Sequence, residues 1–543
     1  MQESQIRDAV ESINSNSGLS KVKLTCPLET IPREILDLGD KVEQLDLSGT
    51  GLSSLPSDFG SIFPNLKIAF FSNCNFTVFP RELASCPNLE MVAFRHNGMV
   101  EIPEDVFPPR LRWLILTDNR IGALPEAIGS CARLEKCMLA GNQLRDLPSS
   151  MAQCKELALL RLNANRFESI PQWLFRLPKL AFLSFAGNPC VRDDSAKAAA
   201  AAAPCLATIE WADLEVQQTL GEGASGVISQ GLWKQSPDYA EEVAIKLFRG
   251  ALTSDGTPAD EMAACLAAGA HESLITVLGR VHGHPDEADI TTPPAPSNGA
   301  TSDNSSTTTT ANNRDNKFQG GIVMQLIPPS YTILGQPPSF ATCTRDTFPP
   351  SSNDSNAVAL MAKETTSNPV NAPTRTLSML TGIAGAAAHL HERGIAHGDL
   401  YAHNILASAE DGHALLGDFG AATIYGTNNE TYAGLEKLEV LAFAHLVEDV
   451  LGLMEGYFGE EQPAKEEGVE KEGVGQEVVV RNGSGVGAGA GGGGRDAESV
   501  RRGLRKIHAL CASADVDSRP TFDEVVERLE RMMGWSGMMR LEN

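Results

Sequence analysis

The eleven cysteines of this chain are scattered and none forms a CxxC pair. That argues against a disulfide framework or a zinc knuckle and for a reducing, cytoplasmic compartment. No apolar run approaches the roughly 18 residues needed to cross a bilayer, so no membrane span is expected. The opening Met1-Gln2-Glu3-Ser4-Gln5 lacks the basic and apolar regions of a secretory signal. Basic residues are in short supply: 44 Lys and Arg stand against 69 Asp and Glu, for a net charge of −25. Nucleic acid and anionic lipid are poor partners for such a chain. What remains is a 543-residue chain, 42% hydrophobic and 21% charged, long enough for two or three domains with their own cores.

The first third repeats itself. The pattern LxxLxLxxNxL recurs from Val42/Leu45/Leu47/Leu52 through Leu180/Leu183/Phe185. Its turn position reads Thr50, Cys74, Asn97, Asn119, Asn142, Asn165 and Asn188, at spacings of 22 to 24 residues. Leu-Pro-like dipeptides keep the same beat, from Leu55-Pro56 to Ile170-Pro171. The pattern resembles a leucine-rich repeat solenoid of the short intracellular type, with about seven repeats in residues 1–195. The Asn side chain is needed to cap backbone groups where each strand turns away. Cys86, Cys131 and Cys154 share one repeat position, which favours a structural role over metal binding.

Such a strand shows its non-leucine positions on the concave face. Two rows result: Gln44, Ile68, Met91, Trp113, Lys136, Leu159, Phe182, and Asp46, Phe70, Ala93, Ile115, Met138, Arg161, Ser184. The middle of that face is apolar, formed by Ile68, Phe70, Met91, Trp113, Ile115, Met138 and Leu159. A contiguous patch of this kind marks an interaction site. The expected occupant is a protein partner or the chain's own second domain, unless flanking loops cover it.

Residues 196–213, with the alanine run Ala198–Ala203, read as a short linker with a partial helix. Beyond it five motifs follow in fixed order. Gly221-Glu222-Gly223-Ala224-Ser225-Gly226 is a glycine-rich loop, and Val243-Ala244-Ile245-Lys246 is a strand ending in lysine. A dinucleotide fold would open a helix where this strand stands. His397-Gly398-Asp399-Leu400-Tyr401-Ala402-His403-Asn404 places an Asp five residues before an Asn, and Asp418-Phe419-Gly420 follows. Asp517-Ser518-Arg519-Pro520 closes the series. Any one of these residues alone is more often a solvated surface charge or a snorkelling edge lysine. Their ordered co-occurrence reverses that balance.

Residues 214–535 thus resemble the protein kinase family, its tyrosine-kinase-like branch in particular. The resemblance implies a multidomain chain: an α/β repeat solenoid followed by an α+β, bilobal kinase fold. It implies ATP and Mg2+ as cofactors. Asp399 would accept the acceptor hydroxyl's proton, and Asn404 and Asp418 would hold metal. Lys246 would pair with the α/β-phosphates and be fixed by Glu261, which opens the helical run Met262–Leu266; Glu242 and Glu272 lie outside that pattern. Gly221, Gly223 and Gly226 would roof the phosphates. Leu220, Ile228 and Ala244 would wall the adenine with Met324 as gatekeeper, and the backbone of Gln325 and Ile327 would contact the base. Low-complexity insertions near 286–318, 345–374 and 459–497 are too polar or glycine-rich to fold and are expected as disordered loops.

The chain departs from the family pattern in three places. Gly398 stands where most kinases carry an arginine that receives an activation-loop phosphate, so activity should not depend on that switch. Tyr401 replaces a lysine that helps neutralise the γ-phosphate, which should bear on rate. Only 21 positions separate Asp418 from Glu439, and the peptide-docking part is pruned; Ala433-Gly434-Leu435-Glu436 is the nearest match to its usual end, with Glu436 expected to pair with Arg519. Substrate recognition would then fall to the repeats. The expected function is transfer of phosphate to a protein hydroxyl, Ser/Thr favoured. One rival is a pseudokinase scaffold working through the repeats, and another is a small-molecule kinase, which leaves the repeats unexplained.

Overall fold

A computed structural model describes residues 2–15, 20–202, 206–250, 252–286, 318–348, 372–427, 430–458 and 497–534. Most of the three expected insertions lies outside these residues. Their edges do not: Arg345 pairs with Asp449 and with Glu448 at 2.7 Å, and a helix already begins at Ala372. Those flanks belong to the folded domain because their charges are matched on it.

The leucine pattern folds as eight parallel strands in one sheet: β1 (Ser20–Lys23), β2 (Val42–Asp46), β3 (Ile68–Phe70), β4 (Met91–Ala93), β5 (Trp113–Ile115), β6 (Lys136–Met138), β7 (Leu159–Arg161) and β8 (Phe182–Ser184). The first strand precedes the repeats counted from the sequence, because Ser20–Lys23 lacks the leucine pattern yet pairs with β2. Helix α1 (Gln2–Ser15) caps that end, with Ile13 buried in the repeat core. Alternation along each strand sends Leu45, Ala69, Val92, Leu114, Cys137, Leu160 and Leu183 inward.

The asparagines stitch successive turns together. Asn142 donates from Nδ2 to the carbonyls of Leu116 and Leu139, both at 2.9 Å, and accepts from the Ile121 N–H at 3.1 Å. Asn165 and Asn188 repeat this arrangement one and two turns on. Where the ladder lacks an amide, Cys74 substitutes its thiol, donating to Leu47 O at 3.2 Å. Cys86, Cys131 and Cys154 are buried, and burial pushes the first two thiols up to about 12.

The expected linker is more structured than its composition suggests. Helix α2 (Arg192–Ala202) closes the solenoid, and β9 (Ala207–Glu210) joins the next sheet as an edge strand parallel to β13 (Val277–His282). That sheet has the order β10-β11-β12-β14-β13-β9, with β10 (Leu214–Gly223), β11 (Gly226–Ser236), β12 (Tyr239–Arg249) and β14 (Phe318–Gln325). Helix α3 (Pro258–Ala268) packs on it, started by Pro258 at its first position and by Thr257, whose hydroxyl accepts the Asp260 N–H at 3.1 Å.

The second lobe is helical. Helix α4 (Ala372–Glu392) buries Leu377, Leu380, Ile383, Ala384, Ala387 and Leu390, a stripe at three- and four-residue spacing. Helix α5 (Gly434–Phe458) runs beneath the loops, and α6 (Ala497–Cys511) and α7 (Phe522–Met533) complete the layer. A capping box of Thr521 and Glu524 starts α7, and Gly534 at φ +75° ends it.

The solenoid's concave face sits directly on this domain. The two predicted rows are in register, Gln44 to Phe182 and Asp46 to Ser184. Their C-terminal part is covered: Met138, Leu159 and Phe182 belong to the core that holds Leu400, Tyr401 and Phe443. Conversely, Ala396, Tyr425, Tyr432, Leu435 and Leu438 belong to the repeat core. The two domains share hydrophobic cores and form one packed unit.

Candidate active site

Two small antiparallel sheets carry the site: β15 (Tyr331–Ile333) with β17 (Ile405–Ser408) and β18 (Ala414–Leu416), and β16 (Ile395–Ala396) with β19 (Thr423–Ile424). The loop between β16 and β17 holds Asp399 and Asn404, and the loop between β18 and β19 holds Asp418. A bond from Gly417 N to Asn404 O, 3.0 Å, draws the two loops together. His397, fully buried, bridges them as well: its Nε2 meets Gly417 O at 2.9 Å, and its Nδ1 accepts the Asp399 N–H at 3.3 Å. From below, the Glu439 carboxylate on α5 accepts the Gly398 N–H and meets His391 Nε2 at 2.7 Å. Burial works against that carboxylate's charge, yet His391 holds its pKa below the ordinary value.

Asn404 donates from Nδ2 to both the carbonyl and Oδ2 of Asp399, each at 2.9 Å. This orientation frees the amide oxygen of Asn404. Asp418 is exposed at φ +58°, with Oδ1 accepting the Gly420 N–H at 3.1 Å. An amide oxygen and an exposed carboxylate on adjacent loops fit a hard cation that also takes phosphate oxygens. Across the cleft, Lys246 Nζ donates to Glu261 on α3, which is 2% exposed. Burial disfavours the ammonium, but Glu261 above all, with Cys265 and Asp418 behind it, holds its pKa above the ordinary value.

The roof is β10 and β11, which meet at Gly223 and Gly226. Gly221 and Gly223 have open space where a Cβ would point, whereas at Gly226, φ +152°, a Cβ would strike Leu247 O at 2.0 Å. Ile228 lies opposite Lys246, and Ala244 opposite Met324. Leu220 is 49% exposed at the mouth. The Gln325 N–H is committed to Thr276 O at 3.0 Å, so only its carbonyl could meet an adenine amine; Ile327 lies beyond the end of β14.

Sequence reasoning missed the residue that contacts Asp399 most directly. Arg161, 1% exposed on the concave face, donates to Asp399 Oδ1, to Gly398 O at 2.8 Å and to Asp255 Oδ1 at 2.9 Å. Asn163 Nδ2 donates to Asp255 O. Burial raises the Asp399 pKa, the Arg161 guanidinium pulls it down, and Asp255 adds to the rise. Phe182 stacks on Tyr401 with centroids 4.0 Å apart and planes 11° from parallel. His403 Nδ1 lies 2.7 Å from Asp346 Oδ1; burial opposes its charge, but Asp346 keeps its pKa above the ordinary value. The only early sign of Arg161 was its place in the second concave row.

One expected pair is absent. Arg519 does not meet Glu436 but donates to the carbonyls of Ser513, Lys437 and Pro178, the last at 2.7 Å, while Glu436 accepts the Phe522 N–H at 2.7 Å. The solenoid's Pro178 carbonyl lies within the guanidinium's reach and takes one of its donors.

Residues 214–443 match the family model described as protein tyrosine and serine/threonine kinase. No curated protein matches the chain. Among solved structures the chain is similar to a leucine-rich repeat protein of Leptospira interrogans, at 30% identity and a TM-score of 0.26. That match takes in 30% of this chain and 48% of the other, so it spans about half the length of that relative. Among the described residues no helix is long and apolar enough to cross a membrane.

Proposed function

We propose that this chain, a leucine-rich repeat solenoid joined to a protein kinase domain, transfers the γ-phosphate of ATP to a protein hydroxyl, serine or threonine before tyrosine. The observation that carries the reading is the Lys246–Glu261 pair, formed while Asp399, Asn404 and Asp418 face the same cleft. Lys246, neutralised by Glu261, would orient the α/β-phosphates. Asn404 through its amide oxygen and Asp418 through its carboxylate would hold Mg2+, whose bound charge offsets that of the phosphates. Asp399, its carboxylate aimed by Asn404, would align the acceptor hydroxyl and take its proton. Catalysis is then positioning with electrostatic stabilisation. Leu220, Ile228, Ala244 and Met324 would enclose the adenine. The described cysteines are free thiols, which suits a reducing cytoplasm.

A second reading, a nucleotide-binding scaffold, is favoured by one observation: Asp399 is engaged by Arg161 and walled by the solenoid. Labelled MgATP separates the two. Label on wild-type protein or a generic acceptor such as casein, lost in Asp399→Asn and Lys246→Met, is the expected result. No label, with MgATP still raising the melting temperature, would establish the scaffold.

A further inference from the structure

The concave face and the catalytic loop enclose a cavity of about 530 Å³, within the range of functional ligand sites. Asp399 lines one end of it. From there the cavity follows the solenoid back through Lys136, Trp113, Met91 and Phe70 to Ser48. Ser48 lies just past the end of β2, the other four positions lie on β3 to β6, and Leu159 and Arg161 add β7. Five inter-strand steps make a track of roughly 24 Å, enough for about seven residues of extended chain. A small metabolite would leave most of such a track empty.

Two polar groups on the track lack a polar partner among the described residues. Tyr401, 6% exposed, lines the cavity beside Asp399, and its buried hydroxyl has no hydrogen-bond partner among the described residues. The Lys136 ammonium lies 4.3 Å from the Trp113 ring centroid and forms no ion pair with a carboxylate among the described residues. Its pKa is lowered, first by burial and then by Arg161. Asp399 and Asp255 act the other way, and a carboxylate delivered beside the ammonium would add to their pull.

We infer that this cavity is the acceptor track of the kinase: an extended peptide lies across β2 to β7, with its hydroxyl residue at Asp399, an acidic residue at Lys136 and apolar residues on Trp113, Met91 and Phe70. This deepens the protein kinase reading and rests on it. Each oxygen of the Asp399 carboxylate has lone-pair capacity beyond its bond to Arg161 or Asn404. The acceptor hydroxyl can therefore reach it without displacing either. Tyr401 would bond the peptide beside the acceptor. Lys136 sits one strand from Arg161, which puts the acidic residue about two to three positions from the acceptor. The net charge of −25 acts at long range and disfavours acidic partners generally; the preference here is local and confined to one position.

The test uses the full chain, labelled MgATP and a peptide library with one Ser, Thr or Tyr among randomised residues. Asp and Glu should be selected two or three positions to one side of the acceptor, with apolar residues farther out on that side. Lys136→Glu should turn the acidic preference into a basic one and lower kcat/KM for the best acidic peptide by about tenfold or more. A merely structural lysine would not invert a preference. Labelling without positional selection, or selection unchanged in Lys136→Glu, would overturn the track while leaving the kinase standing. Label on glycerol or sugars but on no peptide would overturn it in favour of a small acceptor. No label on the library, on casein or on the chain itself would overturn the kinase reading together with the track.

Discussion

Arg161→Met is the most informative single change the structure suggests. The guanidinium is 1% exposed and joins two carboxylates, Asp255 and Asp399, to the Gly398 carbonyl. Methionine keeps much of the volume and removes the charge and every donor. Removing one partner of a buried ion pair costs about 3–5 kcal/mol, because the other charge stays behind without compensation. The Asp255 side chain is 37% exposed and will rehydrate, so the low end, about 3 kcal/mol, applies. For a domain of this size that is a fall of about 6–12 °C in melting temperature. The pH profile moves too. Arg161 pulls the Asp399 pKa down, so its loss lets burial and Asp255 push that pKa higher. In the proposed role Asp399 must be ionised to take a proton, so the acid limb of kcat should shift to higher pH and activity at neutral pH should fall. Arg161→Lys should lie between, since it keeps the charge but loses the fork. The assays are a thermal melt and a pH–rate series on one preferred peptide. An unchanged melt with an unmoved acid limb would refute the role of Arg161. A rise in activity would show instead that Arg161 occupies the acceptor's place.

Two further changes test the framework. Asn142→Ala removes two donated bonds and leaves the Ile121 N–H buried and unpaired. Urea unfolding should register a loss of about 2–4 kcal/mol, and no loss would mean that water replaces the ladder. His445 is held neutral, its pKa pulled down to about 3 by burial and then by Arg345. The unfolded imidazole titrates near 6.5 and takes a proton that the folded one refuses. Stability should therefore fall as pH drops from 6.5 toward 3, at up to about 1.4 kcal/mol per unit. His445→Asn should make that fall shallower in urea melts, and an identical slope would refute the assignment.

The repeats were legible because their signal is periodic and local. Leucines at fixed spacing fix the strand alternation, and both concave rows came out in register, from Gln44 to Phe182 and from Asp46 to Ser184. The strand Ser20–Lys23 was not legible, because an edge strand needs only one neighbour's backbone and no leucine pattern. Nor was β9, whose place beside β13 depends on pairing across some seventy residues. Lys246 and Glu261 could be paired because the resemblance implies a lysine fixed by a helix carboxylate, and Glu261 opens the apolar run. Arg161 could not, since its partners lie 94 and 238 residues away and no local pattern links them.

The docked solenoid meets each of the three departures from the kinase pattern. At Gly398, φ +74°, a Cβ would lie 2.5 Å from Ala421 O in the neighbouring loop, which excludes a larger residue, and 3.3 Å from Leu183 O on β8, which adds a tight contact with the repeats. The Gly398 carbonyl then accepts from Arg161, an arginine returning to this loop from another domain. Tyr401 stands in for a lysine because Phe182 offers an aromatic face that an ammonium would stack on less fully. The short segment after Asp418 runs straight into contact with the solenoid: Thr423 Oγ1 accepts the Phe185 N–H at 3.0 Å, and the Tyr432 ring lies 5.3 Å from that of Phe185. A longer segment here would have to displace these contacts. Read singly, the departures bore on regulation, on rate and on substrate docking. Together they form one complementary surface, and that surface leaves Asp399 at the end of a groove.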